Sequence, residues 1–177
     1  MSANTSNRLL ISEILQKVSN AKTKAQKIKI LQDYNTQALR SLLIWNYDDS
    51  VISLLPEGEV PYRPNEAPAG TEHTILEREY TKLFNFIKGG NFELKQPARE
   101  NMFIRMLEGL HESEAEVLCL VKDHNLQKKY RITEAVVKEA FPEIKWGGRS
   151  WQIEWQSIWT SEVLKMNQIW LMKNVKS

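Results

Sequence analysis

Cysteine is almost absent from this sequence, since Cys119 is the single cysteine in 177 residues. No disulfide can form within one chain. Cys119 stands among Val117, Leu118, Leu120 and Val121, so we interpret it as a core residue. This usage favours a reducing compartment. The N-terminus has no apolar signal segment, and no apolar run approaches the ~20 residues of a membrane span. We therefore expect a cytoplasmic protein.

A strong excess of either charge is also missing. The chain has 24 Lys and Arg against 22 Asp and Glu, a net charge of +2. Any affinity for nucleic acid must therefore come from local basic patches. Neither a Lys-x-Asp-Gly motif nor a Gly-x-x-x-x-Gly-Lys phosphate loop occurs. His73, His111 and His124 have no partner at i+4 and no second cysteine, so a zinc site is not expected. We expect no enzyme activity, no cofactor and no metal.

Proline is scarce outside one segment. Four of the six prolines lie between Ser53 and Gly70, where they exclude a regular helix and disfavour a central strand. A structureless loop of this length is uncommon in a compact domain. Either it wraps over the surface, or it is a mobile segment that binds a partner; we prefer the first alternative. The apolar residues that would pin it are Leu54, Leu55, Val60 and Tyr62.

Elsewhere, apolar residues recur at helical spacing. The pattern predicts a first helix over about residues 8–20, a second capped by Thr23 and a third capped by Thr36. It predicts a fourth helix over about 71–88, which the glycine pair after it ends.

The stretch from Glu100 to Pro142 predicts three more helices with a basic turn before the last. Ser113-x-x-Glu116 has the spacing of a capping box at the start of the middle helix. Thr133 is placed to cap the last helix, and Pro142 ends it because its ring disfavours the α region for the preceding residue.

The helix order of this stretch, with LEGL, AEVL, VKD and ITEAVVKEAFPEI in succession, resembles the N-terminal DNA-binding domain of ATP-dependent DNA ligases of T-even-like phages. The segment LLISEILQKVSNAKTKAQKIKILQDYN resembles its opening helical hairpin. The resemblance covers roughly residues 9–144 and implies an all-α, irregular bundle of about seven to eight helices that grips duplex DNA across the minor groove. It implies a ligase-like helical domain at 8–144, standing alone without a nucleotidyl-transfer domain. A Trp-rich helix at 145–177 would pack on that domain or on a partner.

Three basic clusters are candidates for phosphate contacts, on the helix after Thr23, on the turn near residue 128 and near residue 147. In the ligase family the second cluster would lie on the DNA side. That family has a glycine in this turn whose amide approaches a phosphate, whereas residues 125–130 contain none, so side chains would have to substitute. The predicted DNA-binding residues are Lys24, Lys27, Lys122, Lys128, Lys129, Arg131, Lys145 and Arg149.

Tryptophan recurs every fourth residue near the C-terminus, at Trp151, Trp155 and Trp159, with Trp170 further along. Such a stripe either packs on the domain or forms a protein interface, because Trp is enriched at binding hot spots. Our first hypothesis is a non-catalytic, sequence-independent binder of duplex or nicked DNA, an accessory in phage replication, recombination or repair within the host cytoplasm. The second is a protein adapter or virion component that docks through the Trp stripe or the Pro-rich segment.

Overall fold

The computed structural model describes residues 8–68 and 74–148, and regular structure in these ranges is helical. There is no sheet in them beyond one isolated antiparallel bridge, between Ser53 and Ile87. The predicted all-α class is therefore confirmed. The helices are α1 (Ile11–Asn20), α2 (Lys24–Asp33), α3 (Gln37–Tyr47), α4 (Leu76–Glu79), α5 (Gln96–Gly109), α6 (Glu112–Lys122) and α7 (Glu134–Ala140), with 3-10 segments at Tyr80–Phe86 and Leu126–Lys128.

Threonine hydroxyls start three of these helices. Thr23, Thr36 and Thr133 each accept a hydrogen bond from the amide three residues ahead, at 3.2, 3.2 and 3.4 Å. Each bond satisfies an amide that has no partner within its own helix. All three predicted caps are confirmed.

Helix α6 begins differently from the prediction. His111, not Ser113, is the cap: its Nδ1 accepts from the Ser113 amide at 3.2 Å. The Ser113 hydroxyl instead contacts His111 Nδ1 and the Ser12 hydroxyl of α1, at 2.7 and 2.8 Å. Glu116 pairs with Lys129 and does not reach back to the helix start. The predicted capping box was wrong because tertiary partners take both of its side chains.

The predicted fourth helix is also different, because only Leu76–Glu79 is α-helical and Tyr80–Phe86 is 3-10. The backbone of residues 52–54 takes two groups that would have continued the helix. The Leu54 amide donates to the Phe86 carbonyl, and the Lys88 amide donates to the Ile52 carbonyl, both at 2.8 Å. The chain therefore pairs laterally where local periodicity predicted a helix end.

Helix α6 lies at the centre of the molecule and packs against α1, α3 and α5, while α2 packs against α1 and α7. The core is continuous from α1 to Phe141, and Leu15, Leu43 and Leu118 within it are fully buried. Cys119 is half-buried at its edge. Phe86 and Phe103 meet edge to face with ring centroids 5.1 Å apart, so the 3-10 segment is fixed to α5 by an aromatic pair.

The Pro-rich segment follows the surface of this bundle. Leu55 is buried, and Val60 and Tyr62 pack against the core. Its backbone is also bonded to side chains of α5 and α6: the Arg63 amide donates to Glu108 at 3.1 Å. These contacts support the wrapping alternative for residues 53–68.

Candidate nucleic-acid interface

Positive charge is concentrated in two short parts of the chain. Residues 17–33 and 126–139 together contain nine Lys or Arg and three Asp or Glu, a net charge of +6. The remainder contains 15 Lys or Arg and 19 Asp or Glu, a net charge of −4. The near-neutral total therefore hides a segregation of charge along the sequence.

The fold brings these two segments together. Helices α2 and α7 pack on each other. Lys27 Nζ donates to the Arg131 carbonyl oxygen, and the Arg131 amide donates to the Ser19 hydroxyl at 2.9 Å. Gln32 Nε2 donates to the Ala140 carbonyl at 3.3 Å. We use the name α2/α7 basic surface for two lysines of α2 together with three cations of the turn before α7: Lys24, Lys27, Lys128, Lys129 and Arg131.

Carboxylates accompany part of this surface. Lys24 pairs with Glu139 of α7, and Lys129 pairs with Glu116 of α6. All four side chains are between 39% and 54% exposed, so the ion pairs are solvated and contribute at most about 1 kcal/mol each. Lys128 and Arg131 are exposed and form no ion pair with any carboxylate in the described residues.

Lys122 does not belong to this surface, which corrects the prediction. Its side chain is 0% exposed. Nζ donates to the carbonyl oxygens of Pro56 and Gly58 at 2.7 and 3.2 Å and lies 2.5 Å from Asp123 Oδ1. The ammonium group holds the Pro-rich segment and cannot reach a phosphate without breaking these hydrogen bonds.

The remaining predicted residues are only partly described. Lys145 is exposed and follows α7 near Trp146, whose ring lies 5.6 Å from Lys138 Nζ. Of the third cluster, Lys145 therefore lies just beyond the C-terminal end of α7. Predicted DNA-binding residue Arg149, and predicted partner-binding residues Trp151, Trp155, Trp159 and Trp170, lie outside the described residues.

The turn between α6 and α7 needs a left-handed residue although it contains no glycine. His124 has a φ of 57°, a region that costs a residue with a Cβ atom roughly 1–2 kcal/mol. Two backbone bonds close the turn, from His124 to Val121 and from Asn125 to Leu120, at 3.0 and 2.8 Å. The histidine ring compensates in part, because Nδ1 donates to the Asn46 carbonyl at 2.9 Å.

Asn46 is a residue of this site that sequence reasoning missed. It is 3% exposed. Its Oδ1 accepts from the Leu126 amide at 2.9 Å, and its Nδ2 donates to Gln127 at 3.1 Å. Asn46 thus positions the turn that carries Lys128 and Lys129. The one sign of Asn46 in the sequence is a single amide side chain that follows the apolar residues 42–45 within α3.

Residues 14–128 match DUF6433, described as a family of unknown function, over well over half of the chain. The chain belongs to the DUF6433 family. Neither the curated proteins nor the solved structures contain a match.

The DUF6433 match includes some of the α2/α7 basic surface and leaves out the rest. It begins within α1 and ends with the second 3-10 segment, Leu126–Lys128. It therefore contains Lys24 and Lys27 but ends before Lys129 and Arg131. Helix α7 also lies beyond the match. The contact between Lys27 and the Arg131 carbonyl therefore joins the DUF6433 region to the part of the chain that follows it.

The described part of this DUF6433 chain contains one thiol and many acidic side chains as candidate reactive groups. No three His, Cys, Asp or Glu side chains there are grouped closely enough to hold a metal ion. Burial raises the pKa of the Cys119 thiol to about 11, so the thiol is protonated at neutral pH. Among the described helices, none combines the length and apolar character that a membrane crossing requires.

Proposed function

We propose that this protein binds duplex DNA through the sugar–phosphate backbone, without reading sequence, using the α2/α7 basic surface. The observation that carries the proposal is the contact between Lys27 and the Arg131 carbonyl, which joins two basic segments that lie about a hundred residues apart. Cations gathered on one surface neutralise several phosphates at once and release condensed counterions.

The ion pairs on this surface are compatible with phosphate binding. Lys24 and Lys129 are exposed and pair with exposed carboxylates, and such pairs are weak because water already solvates both charges. An approaching phosphate competes with each carboxylate at low cost. Lys128 and Arg131 have no carboxylate partner in the described residues, so we assign them the leading phosphate contacts.

The resemblance to the ligase DNA-binding domain adds the finer part of the proposal. It favours duplex or nicked DNA as the ligand and a role as a non-catalytic accessory in phage replication, recombination or repair. Residues 125–130 have no glycine that would bring an amide to a phosphate. Side-chain contacts from Lys128, Lys129 and Arg131 take that place in the proposed complex.

A salt series with a fluorescently labelled duplex tests the proposal. We expect binding at low salt that weakens steeply as salt rises from about 50 to 200 mM. The variant Lys128→Glu with Arg131→Glu should bind at least about tenfold more weakly, with a salt slope reduced by about 2. The matched control is Lys88→Glu with Lys95→Glu, two exposed lysines outside this surface.

Equal losses in the two double variants would reduce the interaction to net charge and remove the α2/α7 surface from it. An absence of binding at low salt, or binding that does not respond to salt, would reject the DNA function. Nicked and intact duplexes of one sequence, compared in parallel, show which DNA structure is preferred.

A protein adapter or virion component is the second candidate. It is favoured by the internal position of Lys122 and by the carboxylates beside Lys24 and Lys129, which lower the free positive charge. The Trp-rich stripe supplies apolar anchors for a partner. Changing Trp151, Trp155 and Trp159 to Ser in the full chain separates the candidates. Loss of an oligomer or of a bound protein, with DNA affinity unchanged or absent, favours the adapter.

A further inference from the structure

Arginine is concentrated around one cavity of the molecule. The cavity has a volume of about 690 Å3 and lies where α1, α3 and α4 begin. Three arginines, Arg8, Arg40 and Arg78, line it, and no lysine among the described residues does. Guanidinium groups bind phosphates through two parallel N–H bonds, which an ammonium group cannot do.

These three cations are only partly neutralised. Arg8 contacts Glu77 at 2.6 Å, and Arg40 is 3.5 Å from Glu143, at the long end for an ion pair. Arg78 is exposed and has no carboxylate partner in the described residues. The lining holds three arginines against two carboxylates, those of Glu77 and Glu114, so its formal charge is +1, which favours an anion.

The carboxylate of Glu114, the other acid in the lining, accepts hydrogen bonds from the backbone that forms the cavity. It is 1% exposed. Its Oε2 accepts from the Ile11 amide and its Oε1 accepts from the Leu76 amide, both at 3.0 Å. The carboxylate therefore ties the first residues of α1 and α4 to α6. This bonding shapes the cavity, and both oxygens are directed at backbone amides.

The remaining lining suits an oxyanion with an organic part attached. Gln37 and Ala38, in the first turn of the eleven-residue helix α3, line the cavity and add the positive end of a helix dipole. Tyr80 contributes a half-buried ring. The volume falls within the roughly 300–1,000 Å3 typical of small-molecule sites.

We propose that this arginine-lined cavity is a binding site for a phosphate or pyrophosphate group. Arg78 and Arg40 are the main ligands, and Glu77 releases Arg8 when the anion binds. The site shares no residue with the α2/α7 basic surface, so this proposal does not depend on the proposed DNA function. The same group chemistry is carried by a free nucleotide and by a phosphorylated DNA end.

Titration of the full chain with inorganic pyrophosphate, followed by calorimetry and by amide NMR shifts, tests the site. We expect saturable binding, with the largest shifts at Gln37, Ala38 and Arg78. The variants Arg78→Gln and Arg40→Gln should each bind roughly tenfold more weakly. Arg63→Gln, which removes an exposed arginine outside the cavity, should bind like the unchanged chain.

A second arm compares one duplex with and without terminal phosphates. A gain in affinity on phosphorylation that disappears in Arg78→Gln assigns the site to DNA ends. Pyrophosphate binding without such a gain assigns it to a small molecule. The proposal is overturned if neither ligand binds saturably, or if Arg78→Gln and Arg63→Gln have equal effects. Arg78 is exposed, so its variant should fold normally, and circular dichroism checks this.

Discussion

The ammonium group of Lys122 lies inside the protein, where two carbonyl oxygens and Asp123 replace its water. Because the aliphatic stem is also buried, Lys122→Met keeps most of the packing and removes only the charge and its bonds. Two carbonyls and a carboxylate then lose their donor. We expect the free energy of unfolding to fall by about 3 kcal/mol. Urea denaturation measures it.

Lys128→Met serves as the control for Lys122→Met, since Lys128 is exposed. Its effect on the free energy of unfolding should stay within about 0.5 kcal/mol. Limited proteolysis adds a local readout, because the Lys122 variant should be cut faster within residues 53–68. Equal stabilities of the two methionine variants would show that the internal bonds of Lys122 contribute nothing net.

The sequence shows which residues are cationic but not where the fold places them. Lys122 and Lys128 have the same side chain and both stand near a helix end, and no local pattern distinguishes the buried residue from the exposed one. The difference arises from contact with residues 56–58, more than sixty positions earlier. Asn46 was missed for the same reason, since its partners are about eighty positions later.

At the scale of the elements, helix starts were predicted well wherever a threonine caps its own helix. Thr23, Thr36 and Thr133 act within three residues, so sequence alone contains the interaction. The helix predicted over 71–88 failed because its end depends on a distant segment. Lateral pairing with Ile52 and Leu54 competes with the helical bonds there, and tertiary contacts override local propensity.

Gly90 determines how the 3-10 segment Tyr80–Phe86 ends. A Cβ atom at this position would stand 1.9 Å from the Phe84 carbonyl oxygen, which is backbone and cannot rotate away. Gly90→Ala should therefore displace the turn and the Phe86 carbonyl that pairs with Leu54. We expect the free energy of unfolding to fall by about 2–4 kcal/mol, as measured by thermal and urea unfolding.

The nearby exposed residue Lys88 provides the control, because Lys88→Ala meets no comparable obstruction. It should change the free energy of unfolding by no more than about 0.5 kcal/mol. A Gly90→Ala protein as stable as Lys88→Ala would mean that the turn relaxes freely and does not fix the end of the 3-10 segment.

For the whole molecule, the segregation of charge was visible in the sequence, but its convergence was not. Residues 17–33 and 126–139 can be recognised as basic from composition alone. Only the packing of α2 on α7 makes them neighbours. The same packing also brings Glu139 to Lys24, so one fold both concentrates the cations and partly balances them.

The stability of the whole molecule should fall at alkaline pH because the fold partly or fully shields one thiol and three phenol groups from water. Burial raises the pKa of Cys119 from 9.0 to about 11 and that of Tyr130 from 10.0 to about 12, and it also raises the pKa of Tyr47 and Tyr62. Between the ordinary and the raised pKa, the folded chain keeps protons that the unfolded chain has lost. The stabilisation that these protonated groups contribute is therefore fully present below about pH 9, and it is lost progressively as pH rises through 11 and 12.

Urea denaturation at about pH 8, 10 and 11 should give a decreasing free energy of unfolding, while tyrosinate absorbance reports ionisation above the usual range. Lysine deprotonation also weakens ion pairs at these pH values, so a matched variant is needed to isolate the thiol. Cys119→Ala removes one of the raised groups and leaves every lysine in place. Its free energy of unfolding should decline less between pH 9 and 11 than that of the unchanged chain. Parallel curves for the two proteins would contradict a contribution from the buried thiol, and a flat curve for both would contradict the role of the buried tyrosines as well.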